Sequence, residues 1–196
     1  MKRTIIILSA ILLMYSCDVL RQAGGAYNLS QCKYDYQSID NIQVAGVNIG
    51  RANSISIADI ATLTTLLAGG NIQSIPFSMI LNLSIDNPNK SAAYLNGLDY
   101  VIELNDMEFT SGKLETPIRV EPGMKSTIPL SIGVDLKNLM NRYSRDKVST
   151  EMSRFLGISP GQSKVTVKLR PKILIGDVPL TSPAYIPITF QFGGNR

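Results

Sequence analysis

The chain has no histidine, only two cysteines, and no apolar run as long as a spanning helix ordinarily needs. Without histidine, Ser-His-Asp and Cys-His arrangements are excluded, together with the side chain that most often serves as a general base near neutral pH or binds zinc. Cys17 and Cys32 cannot form a disulfide framework, and the length does not call for one: a chain of this size buries roughly 70% of its unfolded surface in a core. The longest apolar stretch, Ile5 to Met14, falls short of the roughly 18 residues that a spanning helix needs, and Asp18 and Arg21 follow it closely. Charge is also sparse. Residues 1–16 hold two of the 19 basic residues and none of the 15 acidic ones, so their removal lowers the net charge from +4 to +2. No Lys/Arg cluster interleaved with aromatics tracks a phosphate backbone, so nucleic acid is not an expected partner. The densest basic stretch, Lys137 to Arg154, includes Asp146 and Glu151 and reads first as a solvated helix face, second as a surface for anionic headgroups.

The opening residues carry the clearest order. Lys2 and Arg3 form a positive n-region, Ile5 to Met14 an apolar h-region, and Ser16-Cys17 follows directly, which is the plan of an export signal. An uncleaved N-terminal anchor is the alternative. The stretch Leu13-Met14-Tyr15-Ser16-Cys17 resembles a bacterial lipobox, with Ser16 and Cys17 matching and Tyr15 standing where a small residue is usual. The resemblance implies cleavage before Cys17, a thioether diacylglycerol on its sulfur and an N-acyl chain such as palmitate. Each buried methylene contributes about 0.8 kcal/mol, so several chains would hold a small domain firmly on a bilayer. The expected organisation is a signal peptide over 1–16, a tether over 17–30 and one domain over 31–196, at a membrane of the cell envelope, the outer membrane by expectation. With Cys17 alkylated, Cys32 is left without a thiol partner and reads as a small core-facing residue.

Beyond Gln31 the hydrophobic period is two. Cys32, Tyr34 and Tyr36 alternate with polar residues, Ile42 and Val44 continue, and Gly46 reads as a bulge before Val47 and Ile49. Ile57, Ile60, Leu63 and Leu67 instead share a helical face, with Ser56 as N-cap and Gly69-Gly70 as the stop. Phe77, Met79, Leu81, Leu83 and Ile85 form the clearest strand, ended by Asn87-Pro88-Asn89 because proline has no amide proton and asparagine bonds nearby backbone. Leu98, Tyr100, Ile102 and Leu104 predict another strand, extended by Met107 and Phe109 past an irregularity at Asn105-Asp106, with a turn at Ser111-Gly112 and a returning strand over Leu114 to Val120. Pro122-Gly123 turns the chain before Ile128, Leu130, Ile132 and Val134. A second helical pattern runs through Leu136, Leu139, Met140 and Tyr143, then Val148, Met152 and Phe155, with a loop in its middle. Val165, Val167, Leu169, Ile173, Ile175, Ile186, Ile188, Phe190 and Phe192 complete the strands, and Pro171, Pro183 and Pro187 mark edges or strand ends. The expectation is a mainly β chain: an antiparallel sandwich of about eight strands with about two peripheral helices.

The order from Ser74 to Asp135, an alternating strand into Asn87-Pro88-Asn89, then Leu98-Asp99-Tyr100, Gly112 and Pro122-Gly123, resembles the late-embryogenesis-abundant type 2 family, also called the water-stress and hypersensitive-response domain. The resemblance implies an immunoglobulin-like or fibronectin-like sandwich, no catalysis, and a stress-protective or lipid-associated role. More narrowly, the chain resembles lipoproteins that attach this domain to a bacterial envelope. No catalytic motif is carried over.

Other candidate chemistry is thin. Asp86, Asp99, Glu103 and Asp106 lie near strand ends, but their spacing fits no calcium loop. Gly157-Ile158-Ser159-Pro160-Gly161 has the letters of a nucleophile elbow, yet Pro160 removes the backbone N–H that would serve an oxyanion hole. No cofactor or metal is implied. Two functions from different classes stay open: an envelope module contacting a protein or glycan, and a carrier of an apolar ligand or lipid with Ile57 to Leu67 as a lid. A filled core favours the first and an interior chamber the second.

Overall fold

The computed structural model describes residues 24–25, 27–50, 57–68, 73–175 and 178–193. The predicted signal segment, Cys17, the Ser56 cap and the Gly69-Gly70 stop lie outside them. After a helical turn over 27–30, the elements are β1 (Lys33–Val44), β2 (Val47–Gly50), α1 (Ile57–Ala68), β3 (Pro76–Asp86), β4 (Ala93–Leu95), β5 (Leu98–Leu104), β6 (Met107–Leu114), β7 (Ile118–Val120), β8 (Lys125–Asp135), α2 (Leu136–Tyr143), α3 (Arg145–Phe155), β9 (Gln162–Ile175), β10 (Val178–Thr181) and β11 (Ile186–Gly193).

The strands form the expected antiparallel sandwich. One sheet has the order β2-β1-β3-β8, and the other β10-β9-β5-β6 with β11 also along β9; β4 and β7 pair by themselves. Alternation decides which faces meet. Phe77, Met79, Leu81, Leu83 and Ile85 of β3 are all buried, while the residues between them are only half-buried. Each such side chain contributes roughly 1.5–3 kcal/mol on leaving water. They share the core with Leu98, Ile102 and Leu104 of β5, Ile128 and Leu130 of β8, and Val167 and Leu169 of β9.

The structure corrects the expected turns. Asn105 and Asp106 have φ of 45° and 63° and join Leu104 to the Met107 opposite it. Positive φ at both central residues makes a two-residue hairpin turn whose twist matches its strands, so the predicted irregularity is the turn. Ser111-Gly112 is not a turn: it lies inside β6, with Gly112 opposite Tyr100, so Leu114 ends β6 and the expected return shrinks to β7, which pairs with β4. A Cβ at Gly112 would collide with Cζ and Oη of Tyr100, whose hydroxyl donates across to the Ser131 carbonyl of β8. Glycine is needed there for close approach. Gly46 likewise is not a bulge: Ala45 (φ 49°) and Gly46 (φ 81°) turn β1 into β2, and the register shift lies at Ile42/Gln43.

The second helical pattern is two helices broken at one residue, Ser144, with φ of 81°. Asp135 caps α2, accepting from Lys137 N at 2.8 Å, Ile75 N at 3.0 Å and Ser74 Oγ at 2.7 Å. Ser144 caps α3 through Lys147 N at 3.4 Å. The predicted apolar face is the buried one: Leu136, Leu139 and Met140 on α2, Val148, Met152 and Phe155 on α3. All three helices gather at one end of the sandwich, where Ser149 Oγ of α3 donates to the Leu67 carbonyl of α1 at 3.1 Å.

Candidate functional site

The end opposite the helices is built around Asn87, which is fully buried. Its amide nitrogen donates to the Ser91 carbonyl at 3.0 Å and the Val120 carbonyl at 2.8 Å. Its amide oxygen accepts from Asn89 N at 3.1 Å and Asn89 Nδ2 at 2.8 Å. Asn89 Nδ2 also reaches the Asn28 carbonyl at 2.9 Å, and Asn28 Nδ2 the Ala92 carbonyl at 3.1 Å. The Asn-Pro-Asn segment therefore ends β3 as expected, and it also ties the β3–β4 and β7–β8 connections to the turn at 27–30.

That turn belongs to the folded body. Leu29 is fully buried, and Tyr34 Oη donates to its carbonyl at 2.7 Å. A Cβ on Gly25 would stand 2.9 Å from the carbonyl oxygen of Tyr94 on β4, so a bare backbone is what lets the chain lie there. Part of the stretch expected as a tether, Gly25 and Tyr27 to Ser30, is thus held on the domain. Cys32 is buried, with Sγ 3.3 Å from the Asn28 carbonyl. Burial, and then the nearby charge of Asp86, pushes its thiol up to about 11.

Beside this turn lies a half-open cleft of about 470 Å³, lined by Tyr27, Pro171, Leu180, Pro183, Tyr185 and Ile186 among others. Pro171 marks where β9 changes partner, from β11 up to Leu169 to β10 from Lys172, and its carbonyl accepts from Ser182 N at 2.8 Å. Tyr27 is 67% exposed, Val178 67%, Leu180 51% and Tyr185 41%. The Arg170 guanidinium lies 5.2 Å from the Tyr185 ring centroid.

The carboxylates singled out from the sequence do not converge. Each meets a cation: Asp86 with Lys125 at 3.6 Å, Glu103 with Lys168 at 2.5 Å, Asp106 with Lys164 at 2.7 Å, and Asp99 with both Lys172 at 2.9 Å and Arg170 at 3.0 Å. Burial works to raise the Asp99 carboxyl, but the two cations outweigh it and hold it below the ordinary range. Asp86 and Lys125 join β3 to β8 in the first sheet, and the other pairs join β5 and the Asn105-Asp106 turn to β9 in the second, an arrangement that fixes strand neighbours. The Lys137–Arg154 stretch covers most of α2 and α3; its exposed Arg142 comes within 4.0 Å of Glu108, while Glu151 is buried, meeting Arg154 at 3.3 Å and accepting from Asn105 Nδ2. Ser159 sits in a loop after α3, with its backbone N–H on the Ser153 carbonyl at 3.1 Å, not at a strand-to-helix elbow. Among the described residues, no group of three or more His, Cys, Asp or Glu could hold a metal, and no helix is long and apolar enough to cross a membrane.

Sequence reasoning missed the cleft. Its walls come from the turn at 27–30 and from the short strand β10 with its flanking loop, none of which shows a hydrophobic period. The available signal was the apolar Ile173-Leu174-Ile175 and Val178-Pro179-Leu180 beside Tyr185. The helix expected as a lid, α1, packs at the other end, with Leu63 and Leu67 buried.

Two antiparallel sheets with helices at one end and a polar-stapled cleft at the other place the chain among small β-sandwich domains. The sequence pattern of the LEA_2 family, described as late embryogenesis abundant protein, matches residues 82–182, and the chain belongs to that family. The match extends the expected segment through β9 and β10, and the family is typically non-enzymatic. Among solved structures, the chain is similar to a protein from Archaeoglobus fulgidus, with 15% identity, 83% of this chain and 99% of that one covered, and a TM-score of 0.39. It is also similar to a candidate late embryogenesis abundant (LEA) protein, with 9% identity, 96% and 88% covered and a TM-score of 0.37. A protein from Arabidopsis thaliana follows, with 15% identity, 60% and 68% covered and a TM-score of 0.34. No curated protein matches the chain.

Proposed function

We propose that this chain is a lipoprotein of the cell envelope: lipid on Cys17 holds it at a membrane, the outer membrane in our reading, and the LEA_2 sandwich acts there as a non-catalytic binding or stress-protective module. The observation that carries the reading is the order Lys2-Arg3, the apolar run Ile5 to Met14, and Ser16-Cys17, with a folded body beginning a few residues later at Gly25. The scattered, individually paired carboxylates supply no acid–base pair, which agrees with a binding or protective role. Its partner would be an envelope protein or a glycan. The carrier reading fares less well. The described clefts sit at the margins, lined by residues such as Tyr27, Lys113 and Asp35, not by inter-sheet side chains such as Leu81 or Ile102, so an interior chamber for an acyl chain lacks support.

The test is fractionation of cells expressing the full chain or its Cys17→Ala form. The account expects the first to sediment with membranes and to need detergent for release, and the second to leave the lipidated pool. Equal release of both forms without detergent would remove the anchor.

A further inference from the structure

The end of the sandwich that receives the chain is also its apolar end. Among the described residues, the large apolar side chains left exposed are Tyr27, Val47, Met124, Val178, Leu180 and Tyr185. All but Val47 lie at the Asn87 end. Met124 belongs there because its carbonyl accepts from Asn87 N at 3.0 Å, and Tyr27, Leu180 and Tyr185 share the cleft. Val178 and Leu180 stand on β10, which pairs with the last residues of β9, Lys172 to Ile175. The pairing of β5 with β9 stops at Leu98 opposite Pro171, so the β9–β10 pair runs on past the sheet at this end. Its sequence, Ile173-Leu174-Ile175 and then Val178-Pro179-Leu180, is apolar on both strands. A soluble surface rarely keeps exposed side chains such as Tyr27, Val178, Leu180 and Tyr185 together without a use for them.

Length decides which surface they meet. Eight Cα-to-Cα steps lead from Cys17 to Gly25, which is held against Tyr94. At roughly 3.3–3.6 Å per residue they reach about 30 Å at most, while a domain of this size is roughly 40 Å across. A body on so short a leash keeps the end carrying Gly25 toward the bilayer and the helical end away from it. Tyrosine suits that position, because its ring enters the apolar layer while its hydroxyl stays in water.

Resting on the reading of Cys17 as a lipid attachment, we infer that this end docks on the phospholipid surface that holds the chain, with Tyr27, Val178, Leu180 and Tyr185 set among the headgroups and upper acyl chains. The β9–β10 pair then fixes the orientation of the sandwich and turns α1, α2 and α3 outward.

The experiment uses the full lipidated chain, purified from membranes and placed in vesicles of phosphatidylethanolamine and phosphatidylglycerol. A spin label is introduced in separate variants at Val178→Cys, Leu180→Cys and, as the helical-end reference, Asn141→Cys; Cys32 is buried and stays unlabelled. On vesicles, labels at 178 and 180 should gain collisions with oxygen and lose collisions with a water-soluble nickel chelate, while the label at 141 keeps its solution behaviour. Labels at 178 and 180 as open to nickel as the one at 141 would overturn the inference. Protection of 178 and 180 equally strong in the Cys17→Ser chain without vesicles would overturn it too, since a second copy or residues 18–23 would then fill the cleft. Failure of the underlying reading is separately visible, as an unmodified Cys17 in the same preparation.

Discussion

Asn87 holds several backbone groups at once. Its single amide satisfies the Ser91 and Val120 carbonyls at the heart of the Asn87 end, and buried carbonyls that lose a donor cost roughly 1–3 kcal/mol each. Asn87→Ala should therefore lower the unfolding free energy by about 2–4 kcal/mol, measured by urea titration, whereas Lys90→Ala, on an exposed neighbour, should change it little. The sequence revealed that the strand stops at Asn87-Pro88-Asn89, because proline chemistry is local. It could not reveal the staple, because Val120 and Asn28 reach Asn87 and Asn89 only through the fold. The burial of Cys32 was legible, since alternation placed it inward, but its contact with the Asn28 carbonyl was not. With its thiol near 11, the thiolate fraction at pH 8 is on the order of one in a thousand, and only the thiolate reacts. In the Cys17→Ser chain, iodoacetamide should modify Cys32 slowly while the protein is folded and fully in denaturant, as read by mass spectrometry. Fast labelling of the folded chain would place the thiol elsewhere.

At the scale of elements, long strands were readable and short connections were not. Eleven residues of β3 display the period of two, while β4 and β7, with three residues each, are too short to show any. Asn105-Asp106 was misread because asparagine followed by aspartate is a weaker hairpin signal than asparagine followed by glycine, and Gly112 because a glycine that makes room for a ring looks in sequence like a glycine that turns a chain. Gly112→Ala should push Tyr100 out of place, break its bond to the Ser131 carbonyl and destabilise by about 1–3 kcal/mol, the usual cost of overpacking. The cost should be less than additive when combined with Tyr100→Leu, because the two residues share one contact. Additive losses would mean that the ring and the glycine do not meet. The broken helix has a comparable explanation: Ser144 at positive φ ends α2 and caps α3 at once, a double role no pattern of apolar residues encodes.

The described residues are polarised, with α1, α2 and α3 and the Asp135 and Ser144 caps at one end and the chain entry, the Asn87 staple and the apolar cleft at the other. Acid should act on it through named carboxylates. Ser74 first, then the Ile75 and Lys137 N–H groups, hold Asp135 below its ordinary value of 3.8 against the opposing effect of burial, and Asp99 is lowered by Lys172 and Arg170 despite its burial. A depressed folded value means the unfolded chain takes up protons first, so this stability is present above about pH 4 and is lost as pH falls through the lower folded values. Urea midpoints should stay level from neutral pH to about 4 and then decline. Asp135→Asn should start lower and converge with the parent chain in acid; a constant gap at all pH values would remove Asp135 from this role. The proposed attachment draws on a signal local to Lys2–Cys17, whereas the apolar end behind the proposed orientation is assembled from Tyr27 and residues 178–185 and was not legible in the sequence.

The most direct measurement of the central claim is the mass of the N-terminal peptide from protein extracted out of membranes with detergent. The account predicts a mature chain that starts at Cys17 and carries a diacylglycerol thioether together with an amide-linked acyl group. A free Cys17 thiol in a chain that still begins at Met1, or a cut at any other bond, would contradict it.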